Sequence, residues 1–125
     1  MKSVAICGSR RFKQEIRAFA KRLKDLGAVV HEPYLYDNEA KHLSSDEKKF
    51  VALGLTHDHF YKIRVADVVF VYNKDRYCGN STTLEIGFAV ASGKPLYALS
   101  EDDEICRHVL FREVLATPEE FMKRL

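Results

Sequence analysis

Asp67-Val68-Val69-Phe70-Val71-Tyr72 decides the fold. Its four central residues are apolar without a break and three of them are β-branched, which suits a strand buried on both faces in the middle of a parallel sheet. On its N-terminal side lies a long segment of helical period. Ser44 or Ser45 can cap it, Phe50, Val51, Leu53, Phe60, Ile63 and Arg64 mark its faces to about Val65, and Gly54 is a point of interruption. On its C-terminal side a loop from Asn73 to Asn80 leads into a helix from about Ser81 to Ser92, ended by Gly93. Leu96 to Leu99 then reads as a further strand.

The same alternation continues to both ends. Val4-Ala5-Ile6-Cys7 is a short buried strand closed by Gly8. From about Phe12, the residues Ile16, Phe19, Ala20, Leu23 and Leu26 recur every three or four positions and form one helix face, with Gly27 where a left-handed cap belongs. Ala28 to His31 is a strand stopped by Pro33, and residues 33–44 read as a mobile loop. Residues 101–110 read as helical and Val114-Leu115-Ala116 as a fifth strand. Thr117-Pro118-Glu119-Glu120 has the form of a helix start: N-cap threonine, proline at the first position, glutamate at the third. Repeated strand–helix units predict an α/β fold in three layers: a five-stranded parallel sheet of order 2-1-3-4-5, flavodoxin/Rossmann-like, forming a single domain over residues 1–125. Ligands of such sheets bind beyond the C-terminal strand ends, where strand order reverses. That singles out the loops after Cys7 and after Tyr72.

Composition narrows the function. The 125 residues suffice for one core, and a formal charge of only +2, with both signs interspersed, argues against a nucleic acid polymer as partner. The longest apolar runs are too short to cross a membrane. A strand begins within a few residues of Met1, which leaves no room for a signal peptide. Cys7, Cys78 and Cys106 are odd in number and far apart, so they fit neither a disulfide framework nor a paired zinc pattern. A cytoplasmic setting is expected.

The first loop, Cys7-Gly8-Ser9-Arg10-Arg11-Phe12, runs straight into a helix. Gly8 permits a sharp turn, the free amides of a helix start attract an anion, Ser9 adds a hydroxyl, and Arg10 and Arg11 can fork a phosphate or carboxylate. A capped helix with two solvated arginines accounts for the same residues equally well. The loop has neither the Walker lysine nor the GxGxxG spacing. The second loop, Tyr77-Cys78-Gly79-Asn80-Ser81-Thr82-Thr83-Leu84-Glu85-Ile86-Gly87, is richer in small and hydroxyl residues. Glu85 falls on the helix's first turn or just beyond, where the positive end of the helix dipole favours its ionised, nucleophilic form. Ser81 or Thr82 with Glu85 also reads as a plain capping box.

Elsewhere the chemistry is thinner. His57, Asp58 and His59 lie near the end of the long helix. Histidines two apart on a helix point about 200° from each other and do not easily ligate one metal, so no metal site is expected there. One of them can face the strand ends as acid, base or sugar contact. Tyr34, Tyr36 and His42 are candidates for stacking on a base, beside Asp37-Asn38. Asp67 reads as a strand cap.

Ala5-Ile6-Cys7-Gly8-Ser9-Arg10, Ala66-Asp67-Val68-Val69 and Leu84-Glu85-Ile86-Gly87-Phe88-Ala89 with Gly93-Lys94-Pro95 together resemble the nucleoside 2-deoxyribosyltransferase family. Its branches include the deoxynucleoside 5'-monophosphate N-glycosidases. The likeness spans roughly Val4 to Leu99 and is nearest to small bacterial relatives with a Gly-Asn/Glu-Ser-Thr-x-x-Glu-Ile-Gly/Ala turn. The turn also resembles that of the cytokinin-activating phosphoribohydrolases, whose Pro-Gly-Gly start is absent before Cys78.

The resemblance implies N-glycosidic bond cleavage or transfer on a nucleoside or its 5'-monophosphate, with Glu85 attacking the anomeric carbon and His59 or Asp58 assisting. Gly8, Ser9, Arg10, Arg11 and Phe12, with Asn73, Tyr77, Gly79, Asn80, Ser81 and Thr82, are then the substrate-binding residues. Neither a metal nor an organic cofactor is implied, and a homodimer is, with Phe50, Phe60 and Phe88 as interface candidates. Two positions depart from the family pattern. The glycosidases' tyrosine before the Cys-Gly-Ser turn is Ala5 here. Their second carboxylate, eight residues before the Ala-Asp aspartate, is His59, with Asp58 one residue away. A nucleotide sensor without turnover is the alternative function.

Overall fold

Alternation along β1, Ser3–Gly8, sends Val4 and Ile6 to one face and Ala5 and Cys7 to the other, and all four are fully buried. In the computed structural model, which describes residues 2–35 and 42–125, that strand sits second in a five-stranded sheet of order β2-β1-β3-β4-β5. The neighbours are β2 (Val29–His31), β3 (Val68–Tyr72), β4 (Leu96–Ala98) and β5 (Glu113–Val114), and every pairing is parallel. The expected order holds, and strand order reverses between β1 and β3, where Gly8 stands opposite Tyr72.

The two faces are packed differently. Val4, Ile6, Phe70, Tyr72 and Tyr97 meet α1 (Lys13–Asp25) and α5 (Pro118–Met122) in an aromatic-rich core, with Phe19 stacked on Phe70 at 4.6 Å. The opposite core is built of small residues: Ala5, Cys7, Val69, Val71 and Ala98 against Ile63 of α2 (Ser45–Val65) and Ile86 and Ala89 of α3 (Asn80–Ala91). Small side chains on that face let α2 and α3 lie close to the sheet. Phe60 and Phe88, two of the interface candidates, stack on each other at 4.4 Å and join α2 to α3, and the third, Phe50, is 75% exposed.

Local grammar explains the element ends. Ser44 accepts from the Glu47 amide while the Glu47 carboxylate receives the Ser44 amide, a complete capping box that starts α2. Gly54 does not interrupt this helix, since the cost of one glycine, about 1 kcal/mol, is small within a capped helix of 21 residues. Gly27 and Gly93 take positive φ of 101° and 73° just past α1 and α3, as caps that close those helices. Residues 101–110 are helical only over α4, Ile105–His108. The buried Asp102 carboxylate binds the Glu104 amide at 2.8 Å and both nitrogens of the Arg107 fork, and this local alternative delays the helix start.

Asn73, read from sequence as a substrate contact, is fully buried and does other work. Its amide donates to the Ser100 carbonyl at 2.8 Å and accepts from the Ser100 amide at 2.9 Å, tying the end of β3 to the end of β4. Asn73→Ala leaves both Ser100 groups short of partners and is expected to cost about 2–4 kcal/mol of stability. A lower midpoint in urea with an unchanged slope is the readout.

Candidate active site

Beyond the C-terminal ends of β1 and β3 lies a cavity of about 600 Å³, within the range of small-molecule sites. One wall is the turn after β1: Gly8, Ser9, Arg10 and Arg11. A second is the start of α3, with Tyr77, Gly79, Asn80, Ser81, Thr82 and Glu85. The third comes from α2 and from the segment after β2. Eleven of the fourteen residues proposed from sequence therefore converge on one space, His59 included.

The other three stand apart. Phe12 is buried under Tyr72 and Tyr77, with ring centroids at 6.2 and 6.0 Å, and supports the turn from beneath. Asn73 holds the strand ends together. Asp58, half-exposed on α2, pairs with Lys62 at 3.0 Å, because one residue of offset from His59 turns it about 100° away from the cavity. Tyr34 reaches the wall, beside Pro33 and Leu35; His42 does not. Tyr36, Asp37 and Asn38 lie outside the described residues.

Of the α2 wall only His59 was anticipated. Ala52, Leu55, Thr56 and His59 line it, a stripe at helical spacing that continues to the buried Ile63. That periodicity is present in the sequence, but nothing in it distinguishes a cavity face from a core face.

The anion-facing features survive in altered form. Ser9 caps the turn Arg10–Phe12 by accepting from the Arg11 amide at 3.3 Å, so its hydroxyl proton remains to be donated. The Arg11 guanidinium lies over the Tyr77 ring, 3.5 Å from its centre, which ties the first wall to the second. At α3 the N-cap is Gly79, and among the described residues no side chain caps it. The first amides of α3 thus face the cavity mouth unblocked. A Cβ on Gly8 would stand 2.8 Å from Ile16 Cδ1 and 3.1 Å from the Tyr72 carbonyl oxygen, which explains a glycine where β1 meets β3.

Gly79 as N-cap also excludes the capping-box reading of Glu85. Neither Ser81 nor Thr82 forms a capping box with it. Glu85 lies on the second turn of α3, with its side chain only 15% exposed at the cavity wall. The expectation that the helix dipole holds it ionised is overturned. Burial raises its pKa from 4.5 to about 8, and a hydrogen bond with Cys7 only partly offsets this. The dipole acts mainly within the first turn, and desolvation outweighs it one turn further in.

Two buried partners surround the carboxyl. His59 Nε2 stands 3.8 Å from Glu85 Oε2 and 3.4 Å from Cys7 Sγ. Burial first, then the Lys62 charge, brings the His59 pKa down to about 4, against the opposing pull of Asp58 and the Ile6 backbone. Burial also drives the Cys7 thiol well up, with the Glu85 charge adding to it. At neutral pH the three groups are therefore a carboxylic acid, a neutral imidazole and a thiol. The histidine and glutamate are neighbours without being an ion pair, because separating charge in this dry place costs more than attraction returns.

The sequence profile of the nucleoside 2-deoxyribosyltransferase family matches residues 6–119. Solved structures of similar fold include a 2-deoxyribosyltransferase from the psychrotolerant bacterium Bacillus psychrosaccharolyticus, at 19% identity and a TM-score of 0.71, covering 95% of this chain and 89% of that one. A conserved protein from Enterococcus faecalis V583 matches at 17% identity and a TM-score of 0.68, covering 100% and 99%. The CMP N-glycosidase of Clostridium botulinum matches at 18% identity and a TM-score of 0.58, covering 98% and 97%. No curated protein sequence matches the chain.

Proposed function

The chain belongs to the nucleoside 2-deoxyribosyltransferase family, and from that premise we propose that it cleaves or transfers the N-glycosidic bond of a (deoxy)nucleoside or its 5'-monophosphate. The observation that carries this reading is Glu85 on the wall of the cavity that also holds the Ser9–Arg11 turn and the open start of α3. An anionic group on the 5' side of the sugar suits the amides and arginines there. The anomeric carbon then lies towards Glu85, whose carboxylate captures the oxocarbenium-like centre, and water or a second acceptor releases the sugar.

Protonation sets the terms of this chemistry. Glu85 must lose its proton before it attacks, and the leaving base must gain one. With a pKa of about 4, His59 is too weak a base to take that proton, so Glu85 loses it to solvent as pH rises. The departing base takes its proton from water, and neutral His59, 3.8 Å from Glu85, holds a sugar hydroxyl. Asp58 takes no part in this scheme, being turned towards Lys62.

A sensor without turnover is the second reading. What favours it is the lack, among the described residues, of a second carboxylate on the cavity wall together with a Glu85 that is neutral at physiological pH. A panel of nucleosides and 5'-monophosphates, incubated at pH 6 and pH 9 in chelator and analysed for free base by chromatography, separates the two. Base release that grows towards pH 9 is the expected result. A nucleotide that raises the melting temperature yet is recovered intact at both pH values marks the sensor. A homodimer goes with either reading, and Phe50, Leu53 and Tyr61 leave α2 an exposed apolar surface for it.

A further inference from the structure

Cys7, His59 and Glu85 come from β1, α2 and α3, and their Sγ, Nε2 and carboxylate oxygen atoms all lie within 4.8 Å of one another. Nothing in the spacing of the three along the chain announces this. From that convergence we propose that the protein holds a zinc-class divalent cation between the Cys7 thiolate, the His59 Nε2 and the Glu85 carboxylate, at the inner end of the cavity.

Four observations carry it. The first is distance: zinc bonds of about 2.3 Å to sulfur and 2.0–2.2 Å to nitrogen and oxygen place tetrahedral ligand atoms roughly 3.4–3.6 Å apart. Here Sγ to Nε2 is 3.4 Å and Nε2 to Oε2 is 3.8 Å, close to that spacing. With all three atoms within 4.8 Å of one another, a shift of the Glu85 side chain towards Cys7 closes the site. The second is the donor set. A thiolate, an imidazole and one carboxylate suit zinc and its neighbours in the first transition row, and do not suit magnesium or calcium, which require several oxygens. The third is orientation. Nε2 faces both partners, so it is the ring nitrogen that meets a metal held between them. The fourth is access. His59 and Glu85 line the cavity, which leaves the fourth tetrahedral position open to water or to a substrate oxygen.

Charge agrees with this geometry. Burial holds both the Cys7 thiol and the Glu85 carboxyl in their protonated forms. A divalent ion displaces those two protons to solvent and leaves a neutral unit of one cation, two anionic ligands and one imidazole, which a dry interior tolerates. The ion also occupies the carboxylate that glycosyl transfer requires. Metal binding and nucleophilic attack are thus alternative states of Glu85, and zinc acts as an inhibitor of any base release the protein performs.

The test is made on the metal-free full chain with zinc and cobalt alone, and no nucleotide. One equivalent of zinc should be withdrawn from a chromophoric chelator, and cobalt should give a thiolate charge-transfer band with the intense visible bands of a tetrahedral centre. Cys7→Ser should abolish the charge-transfer band. It should also weaken zinc by more than the roughly 10–100-fold that follows loss of a mere supporting contact. Cys106→Ser, which removes an exposed thiol, should change neither. Should Cys7→Ser fail to fold by circular dichroism, the cobalt spectrum of the unaltered chain decides alone. Zinc left with the chelator, a cobalt spectrum lacking the thiolate band, or a site lost in Cys106→Ser but kept in Cys7→Ser overturns the proposal. These readouts use no substrate, so failure of the glycosidic reading leaves them intact, and the reverse.

Discussion

Glu85→Gln is expected to reduce base release by ~10³-fold or more while leaving nucleotide affinity within a few-fold of the original. The size follows from the role: removing a nucleophile destroys the covalent route, and single removals of this kind cost on the order of 10³–10⁶ in turnover. Glutamine is the informative replacement. It keeps the shape of the side chain beside Cys7 and His59, and because Glu85 is already uncharged at neutral pH, no charge is lost from the resting site. Binding should therefore survive, with the ligand held by the first turn and the start of α3. Measured against pH in chelator, kcat/KM of the unaltered chain should rise to a plateau with an apparent midpoint near 8, where Glu85 ionises. Full activity in Glu85→Gln, or a rate independent of pH between 6 and 9, would falsify the role assigned to this residue.

The second large effect concerns stability. Folding raises the Glu85 pKa from 4.5 to about 8, so between those values the folded chain holds a proton that the unfolded chain has released, and stability falls as pH rises. His59 acts in the opposite sense. Its pKa falls from 6.5 to about 4 on folding, so between those values the unfolded chain holds the extra proton and stability rises with pH. From 4.5 to 6.5 the two contributions nearly cancel. Above 6.5 only Glu85 remains, and the metal-free protein should lose about 2 kcal/mol between pH 6.5 and 8 from this group. Cys7, raised well above 9.0, extends the decline into alkaline solution.

Glu85→Gln removes one half of that balance. Relative to the unaltered chain, the variant should gain on the order of 3–5 kcal/mol between pH 4.5 and 8. Urea titrations of both proteins across this range in chelator give the difference directly, and exposed carboxylates common to both drop out of it. Parallel stability curves for the two proteins would show that Glu85 is not desolvated in the folded state.

How much of this was legible in the chain varies with the range of the interaction. The strands, the capping box at Ser44, the left-handed caps at Gly27 and Gly93 and the Thr117 cap, which receives the Glu120 amide at 3.1 Å, were readable because each is a local matter of a few residues. Helix content across residues 101–110 was overestimated, because the Asp102–Arg107 pairing that competes with it depends on burial. At the site, the Gly8–Arg11 turn and the Gly79–Thr82 turn were found from glycine and hydroxyl chemistry. Residue type misleads at Phe12 and Asn73, which read as substrate contacts, and at Asp58, which reads as a catalytic assistant. A loop residue's type does not say whether it points into a cavity, under it or away from it.

By itself, the order of apolar runs and turn residues determined a parallel α/β sheet, its strand order and the two loops that border the cavity. Periodicity, chirality and capping act between near neighbours and need no knowledge of the rest of the molecule. Only the tertiary structure decided the state of Glu85. Its acidity depends on how much water remains around it, and that is set by packing against Cys7 and His59, which stand 78 and 26 positions away in the chain.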